Sequence, residues 1–257
     1  MTEEFSGVAA TAAALMEQAH HGDPAAADRL AETLPSLTAA AESGHLDAQN
    51  VLGGILLEWM DDPSGAAAWF RKTADRGSAA GKRSLGHLYA NGLGVPKDLA
   101  EAERLFGEAA AEGDAHARFG LAQLWWGKAD PQAVAGLLRS AAEGGVVDAH
   151  VVLGDLLAAM DQDAEALRSY LTAAESGHDG AMYVVARWYR DGTAGRADSV
   201  EALKWFLRMI RVGNADGLHE AIDVARRVSD EEIRRAGELA GCRAEAEAMA
   251  GTVRKYR

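Results

Sequence analysis

Small and apolar side chains recur along this chain at helical spacing. Ala48, Leu52 and Leu56 lie four residues apart, which places them on one face of a helix. This sequence pattern begins after a glycine, and its copies lie 32 to 36 residues apart along the chain. A shorter copy follows Gly22. Self-similarity at such an interval indicates a stack of two-helix hairpins instead of a single globular core. The anchoring glycines are Gly44, Gly77, Gly113, Gly145, Gly177 and Gly213.

Each repeat is predicted to hold two helices of constant length, and only the connection between them varies, as loops tolerate. Asp62, Asp98, Asp130 and Asp198 stand where second helices begin and have the chemistry of N-caps. Ser229 and Glu232 have the spacing of a capping box that opens a helix running to about residue 240. Helices near 8–20 and 242–250 are expected to cover the two ends. The other predicted helices span 46–58, 62–75, 79–90, 98–111, 115–127, 130–143, 147–159, 163–175, 179–190, 198–211 and 215–227.

Glycine recurs inside the first helix of several repeats. Gly53, Gly86 and Gly154 each come directly after the leucine of the repeat pattern that is predicted to be buried. Glycine costs up to about 1 kcal/mol in a helix interior. Its repetition therefore predicts that another helix backbone passes close to these positions.

Charge and cysteine content narrow the class of partner. The net charge is −13, with 12 basic and 27 acidic residues in 1–186, against 14 and 12 in 187–257. This acidity argues against binding to nucleic acid or to an anionic membrane. It is compatible with a basic protein or peptide as partner, and the competing interpretation is that the acidic surface simply maintains solubility. Cys242 is the only cysteine, and no apolar run approaches the roughly 20 residues of a membrane span. We expect a soluble protein of the cytoplasm.

Two loops resemble a known repeat family. Residues 85–98 read LGHLYANGLGVPKD, and a second copy runs from Trp188 to Gly213. This motif is similar to the central motif of the Sel-like repeat (SLR) family, helical hairpins related to tetratricopeptide repeats. The resemblance covers about residues 22–228. The cysteine pairs of secreted members are absent here, so the penicillin-binding activity associated with those members is not carried over.

The resemblance implies an all-α fold, a right-handed α/α superhelical solenoid of about six helix-turn-helix repeats with terminal capping helices. On this view residues 1–257 form one domain, with a repeat core at about 22–228 and C-terminal capping helices at about 229–251. It also implies a role in assembling protein complexes. The repeats at 113–145 and 145–177 lack the glycine loop, so their hairpins are expected to turn more tightly.

No catalytic, metal or cofactor motif emerges from the residues. Asp62 of the Asp61-Asp62 pair is better explained as a helix cap, and Cys242 as a packed thiol. The eight histidines form no metal-binding spacing. The sequence therefore predicts a protein that is not an enzyme and that has no cofactor.

Three positions in each first helix vary between repeats. They lie 6, 10 and 13 residues after the anchoring glycine and are predicted to share one helix face, the concave side of the stack. On this face we predict a partner-binding groove with aromatic anchors and orienting polar groups. The competing interpretation is that Phe119 and Trp126 pack between hairpins and that the arginines are solvated. The predicted binding residues are Arg83, His87, Phe119, Gln123, Trp126, Asp155, Tyr183, Arg187 and Arg190.

Three functions are consistent with these observations. The first is a scaffold or adaptor that binds a protein or peptide on its concave face, with a basic partner among the candidates. The second is an immunity or inhibitory protein that masks a basic toxin or enzyme, for which binding would be strongly salt-dependent. The third, drawn from family precedent alone, is a hydrolase of cell-wall or β-lactam-like compounds. The sequence leaves the oligomeric state open.

Overall fold

The computed structural model describes residues 2–255, with side chains from residue 7 onward, and within that range all regular structure is α-helical. The described chain forms two compact units, one ending at Lys128 and one beginning at Ala129. The first unit contains α1 (Thr2–His20), α2 (Pro24–Glu42), α3 (Leu46–Glu58), α4 (Pro63–Asp75), α5 (Ala79–Asn91), α6 (Leu99–Ala111) and α7 (Ala115–Trp125). The second contains α8 (Pro131–Glu143), α9 (Val147–Ala159), α10 (Asp163–Glu175), α11 (Asp179–Asp191), α12 (Ser199–Arg211), α13 (Leu218–Ala225), α14 (Asp230–Ala240) and α15 (Arg243–Arg254).

The first unit is a stack of hairpins. Helices α1 and α2, α3 and α4, and α5 and α6 pack pairwise, and each hairpin packs on the helix that follows it. The predicted all-helical repeat architecture is therefore confirmed. We call the first helix of each hairpin an A helix; in this unit the helices that take that position are α1, α3, α5 and α7.

The N-terminal hairpin differs from its prediction. The sequence pattern indicated a capping helix and a shortened repeat, whereas α1 and α2 are both 19 residues long and form a hairpin of their own. Pro35 lies inside α2 and removes one helical hydrogen bond. The helix continues past it because Leu30, Leu37, Ala40 and Ala41 on one face are buried.

The second unit repeats this plan and then departs from it. Helices α9 and α10 form one hairpin and α11 and α12 another, after which α14 packs on α12 and α15 packs on α14. The capping box predicted at Ser229 is present, because the Ser229 amide donates to Glu232 Oε2 at 2.8 Å and the Glu232 amide donates to Ser229 Oγ at 3.2 Å. Helix α13 is shorter than the predicted span 215–227.

Helix ends follow the predicted chemistry with one exception. The six anchoring glycines all adopt left-handed φ values between +83° and +100°, which side chains disfavour. Asp62, Asp98 and Asp198 accept hydrogen bonds from amides in the first turn of their helices. Asp130 occupies the N-cap position of α8 without such a bond, and nothing in the structure explains the difference.

The glycines within the A helices make room for aromatic rings. A β-carbon at Gly53 would lie 2.6 Å from the Phe70 ring, and one at Gly154 would lie 2.6 Å from the Tyr170 ring. At Gly86 the nearest atoms belong to Phe106, and the Ala102 carbonyl oxygen follows at 3.4 Å. The predicted close approach of a second helix backbone is thus corrected. It is mainly a ring from the second helix that fills the space, because a glycine leaves a hollow of the size a ring needs.

Cys242 is part of the core of the second unit. Its thiol is buried, and Sγ lies 3.6 Å from the Leu207 carbonyl oxygen. Burial raises the pKa of the Cys242 thiol, which disfavours the reactive thiolate. Among the described helices, none combines the length and the apolar character that crossing a membrane requires.

We predict that Gly53→Ala destabilises the first unit. The added methyl group meets a buried ring that cannot move away, and such overpacking costs about 1–3 kcal/mol. The matched control is Gly107→Ala in α6, where a β-carbon meets no atom within 4 Å and where the gain in helix propensity is up to about 1 kcal/mol. Urea unfolding of both variants measures the difference. An equal gain for both would show that the ring does not constrain this position.

Candidate functional site

A cavity of about 780 Å³ opens on the A helices of the first unit. Helices α1, α3, α5 and α7 all contribute to its lining, and Phe70 and Phe106 reach it from the second helices of their hairpins. Its volume lies within the range of natural ligand-binding clefts. The cavity is therefore large enough to hold side chains of a partner.

Aromatic rings reach the cavity because glycines in the A helices have no side chain to block them. Phe106 packs between Gly86 and Gly120, and a β-carbon at Gly120 would lie 2.9 Å from its ring. Gly54 also lines the cavity, and a β-carbon there would meet only Met16 Cε, at the ordinary contact distance of 3.6 Å. The floor is therefore apolar, and a β-carbon at Gly54 fits without a clash.

Four of the predicted binding residues lie together in this cavity. Arg83 and His87 line it from α5, and Phe119 and Gln123 line it from α7. Their neighbours in the repeat pattern, Asn50, Gly54 and Leu57, line it from α3. The residues 6 and 10 positions after the anchoring glycine of these three helices therefore share the face that lines the cavity, and their role in binding a partner stays a prediction.

Trp126 is not among the residues that line the cavity. The sequence predicted a helix over 115–127, but α7 ends at Trp125, and Trp126 leaves the helix with φ −54° and ψ 123°. Gly127 then adopts a left-handed φ of +69°. Because the helix stops, Trp126 does not continue the face of Phe119 and Gln123, and its side chain is exposed.

Polar side chains on this face also join neighbouring hairpins. Asn50 donates to Ser78 Oγ at 3.1 Å, and Arg83 donates to Asp114 Oδ2 at 2.8 Å. Ser78 and Asp114 are the N-caps of the next A helices. Arg83 therefore has a structural role on this face, since its charge is paired with a carboxylate of the next A helix.

The sequence prediction missed one wall of the cavity. Ala13, Met16, Glu17 and His20 line it from α1 at spacings of three, four and seven residues, which is the signature of one helix face. The repeat pattern does not indicate this stripe, because residues 8–20 lie before the first anchoring glycine and are predicted only as a capping helix. His20 Nε2 lies 3.4 Å from the Glu58 carboxylate of α3, so the wall is joined to its neighbour.

The remaining predicted residues belong to the second unit. Asp155 on α9 accepts a hydrogen bond of 2.6 Å from the Tyr170 hydroxyl. Burial, and then the bond to Asp155, raises the pKa of Tyr170 well above its usual value. Asp155 thus serves the hairpin formed by α9 and α10.

Tyr183, Arg187 and Arg190 form a cluster on α11. The Arg187 guanidinium lies 5.7 Å from the centre of the Tyr183 ring, and Arg190 binds Asp191 through two hydrogen bonds. The Tyr183 hydroxyl donates to Glu220 Oε1 at 2.6 Å, which raises the pKa of Tyr183 and lowers that of Glu220. Arg187 is exposed, so it can meet a partner.

The site contains no evident metal chemistry. In the described part of the chain, no group of three or more His, Cys, Asp or Glu side chains is placed to hold a metal ion. The three histidines that line the cavity, His20, His87 and His116, come from three different helices. The arrangement can recognise apolar and polar groups through contact and hydrogen bonding.

Comparisons with known proteins agree with this architecture. The model of the Sel1 repeat family matches three segments, residues 47–78, 79–114 and 180–214. A protective antigen present in uropathogenic Escherichia coli strains, which displays an SLR fold, superimposes with a TM-score of 0.71 at 25% identity over 97% of this chain. This chain spans only 59% of that protein.

A second solved structure supports the same fold. The Sel1 repeat protein from Oxalobacter formigenes has a TM-score of 0.63 at 23% identity, over 78% of this chain and 87% of its own. No curated protein sequence matches the chain significantly.

We predict that the Tyr183–Glu220 hydrogen bond stabilises the second unit in a defined pH window. A carboxyl whose pKa is lowered by folding adds stability above its ordinary pKa of about 4.3, and this is lost as the pH falls. A tyrosine whose pKa is raised adds stability that is lost only as the pH rises past about 10. Tyr183→Phe should therefore cost about 1 kcal/mol at neutral pH and less in acid.

The free energy of unfolding measured by urea at neutral and acidic pH checks this expectation. Tyr189→Phe is the matched control on the same helix, because no side-chain hydrogen bond of its hydroxyl occurs among the described residues. A loss for Tyr183→Phe that stays constant across the pH range would contradict the role assigned to Glu220.

Proposed function

We propose that the chain is a scaffold or adaptor, because it contains three segments that match the Sel1 repeat, and repeats of that family generally serve protein–protein interaction. A partner protein or peptide binds the cavity formed by the A helices of its first unit. The observation that carries this proposal is the apolar cavity of about 780 Å³ on the face where the repeats differ from one another. Positions that differ between repeats are free of the demands of stacking and can serve recognition.

The cavity has the parts that a protein interface needs. Phe119 and Leu57 supply apolar contact area, and Gln123 supplies hydrogen-bonding groups at an exposed position. Interface energy is concentrated in a few side chains that fill desolvated pockets. We assign the anchoring role to Phe119 and the part of the cavity beside Gly54 to a side chain of the partner.

We propose a non-enzymatic role on chemical grounds. Cys242 is buried with a raised pKa, so it is unsuited to act as a nucleophile. Arg83 is held by Asp114, and Asp155 by the Tyr170 hydroxyl. These groups are engaged in holding helices together. The single cysteine is consistent with the cytoplasmic location that we include in this proposal.

An inhibitory protein that masks a basic enzyme is the second candidate. Residues 1–128 contain 10 basic and 18 acidic side chains, a net charge of −8, which favours association with a basic surface. The two functions differ in their consequence for the partner. An adaptor leaves the partner active, whereas an inhibitor abolishes its activity at stoichiometric binding.

We predict that Gly54→Leu blocks partner binding without loss of stability. A β-carbon fits at this position, leucine favours the helix, and the rest of its side chain fills the cavity. Gly107→Leu, on α6 and outside the cavity lining, is the matched control. The partner is captured on the tagged full chain from cells that express it, identified, purified and titrated against all three proteins by calorimetry.

The expected result is a loss of affinity of about tenfold or more for Gly54→Leu and no change for Gly107→Leu. Equal affinity for both variants would show that the cavity is not the binding site. Failure of any purified protein to bind saturably would overturn the proposed function itself.

A further inference from the structure

We propose that one edge of the cavity is a subsite for a lysine or arginine side chain of the partner, next to an apolar side chain that occupies the cavity floor. We call this the acidic edge and define it by Glu17, His20 and Glu58. The inference rests on the proposed function and specifies the chemistry of the segment that binds.

The acidic edge combines two carboxylates with two helix ends. Glu17 lies in the last turn of α1, and Glu58 is the last residue of α3. Both side chains line the cavity. The C-terminus of a helix carries a partial negative charge of about half an electron, so the carboxylates and the backbone add to the same potential.

No lysine or arginine neutralises these carboxylates. Within the described residues, the only basic side chain within 4.0 Å of either one is His20, whose Nε2 lies 3.4 Å from Glu58 Oε2. The basic side chains Lys82 and Arg83 of α5 form ion pairs with other carboxylates. Lys82 binds Glu112 at 2.6 Å, and Arg83 binds Asp114 at 2.8 Å.

The register of the helices places these basic groups away from the acidic edge. The Asn50 and Arg83 side chains each reach the N-cap of the next A helix, Ser78 and Asp114. The N-terminal ends of the neighbouring helices α3, α5 and α7 therefore lie side by side. Their C-terminal ends share the opposite edge, which is where Glu17 and Glu58 lie, so the potential becomes more negative across the cavity.

The apolar floor beside this edge suits the stem of a long cationic side chain. Met16 and Leu57 line the cavity within one turn of Glu17 and Glu58 along their helices. A lysine or arginine of the partner can lay its methylene groups on these side chains while its charge meets the carboxylates. An acidic segment would meet repulsion at the same place, which gives the edge its selectivity.

The experiment selects ligands for the cavity from a phage-displayed library of random short peptides on the immobilised full chain. Selected peptides are synthesised and titrated against wild type, Gly54→Leu and the double variant Glu17→Gln/Glu58→Gln. The matched control is Asp28→Asn/Glu32→Gln, which removes the same charge from exposed positions of α2 outside the cavity.

We expect the selected peptides to share a lysine or arginine beside a bulky apolar residue. The Glu17→Gln/Glu58→Gln variant should bind them about tenfold more weakly and with less dependence on salt, whereas the control should bind as wild type does. Replacement of the peptide's cationic residue by glutamine should weaken binding to wild type but not to the double variant.

The two proposals fail in different ways. Peptides that lose affinity for Gly54→Leu but not for Glu17→Gln/Glu58→Gln would overturn the cationic subsite and leave the cavity as the binding site. Peptides that bind Gly54→Leu as well as wild type, or no selection above background, would overturn binding in the cavity and this inference with it. Urea unfolding of each variant verifies that all are folded.

Discussion

The packing of an aromatic ring against a glycine is the contact on which these hairpins depend. In each unit a ring from a second helix occupies the space that a glycine leaves on the A helix of its hairpin, as Phe70 does at Gly53 and Tyr170 at Gly154. The ring buries a large apolar area at a close helix crossing, which offsets the low helix propensity of glycine. This contact recurs in the hairpins α3–α4, α5–α6 and α9–α10.

The same contact shapes the cavity. Phe106 is held between Gly86 and Gly120, so one ring joins its own hairpin to the next A helix and also contributes to the cavity floor. The Phe106 ring therefore contributes both to the packing of the helices and to the surface of the cavity. A substitution at these glycines would alter both, whereas a β-carbon at Gly54 meets only Met16 Cε at an ordinary contact distance and can be added with effects on the cavity alone.

Polar side chains on the cavity face divide between two tasks. Asn50 and Arg83 hold the caps of following helices, which fixes the register of the stack. Among the described residues, Glu17 and Gln123 have no such task, Glu58 contacts only His20 of α1, and all three remain exposed at the cavity. The charge that a partner meets is therefore set as much by which groups are already paired as by which groups are present.

The sequence alone determined the hairpin repeat, most helix bounds, several caps and the helix face that lines the cavity, because periodicity and capping are local properties that each residue carries with it. It also placed Arg83, His87, Phe119 and Gln123 on one helix face, and their role in binding a partner stays a prediction. Only the tertiary structure decided which of them are paired, that α1 supplies a wall, that Trp126 leaves its helix and that rings fill the glycine positions. These depend on contacts between residues distant in the chain, for which a repeat pattern specifies neither the partner nor the distance.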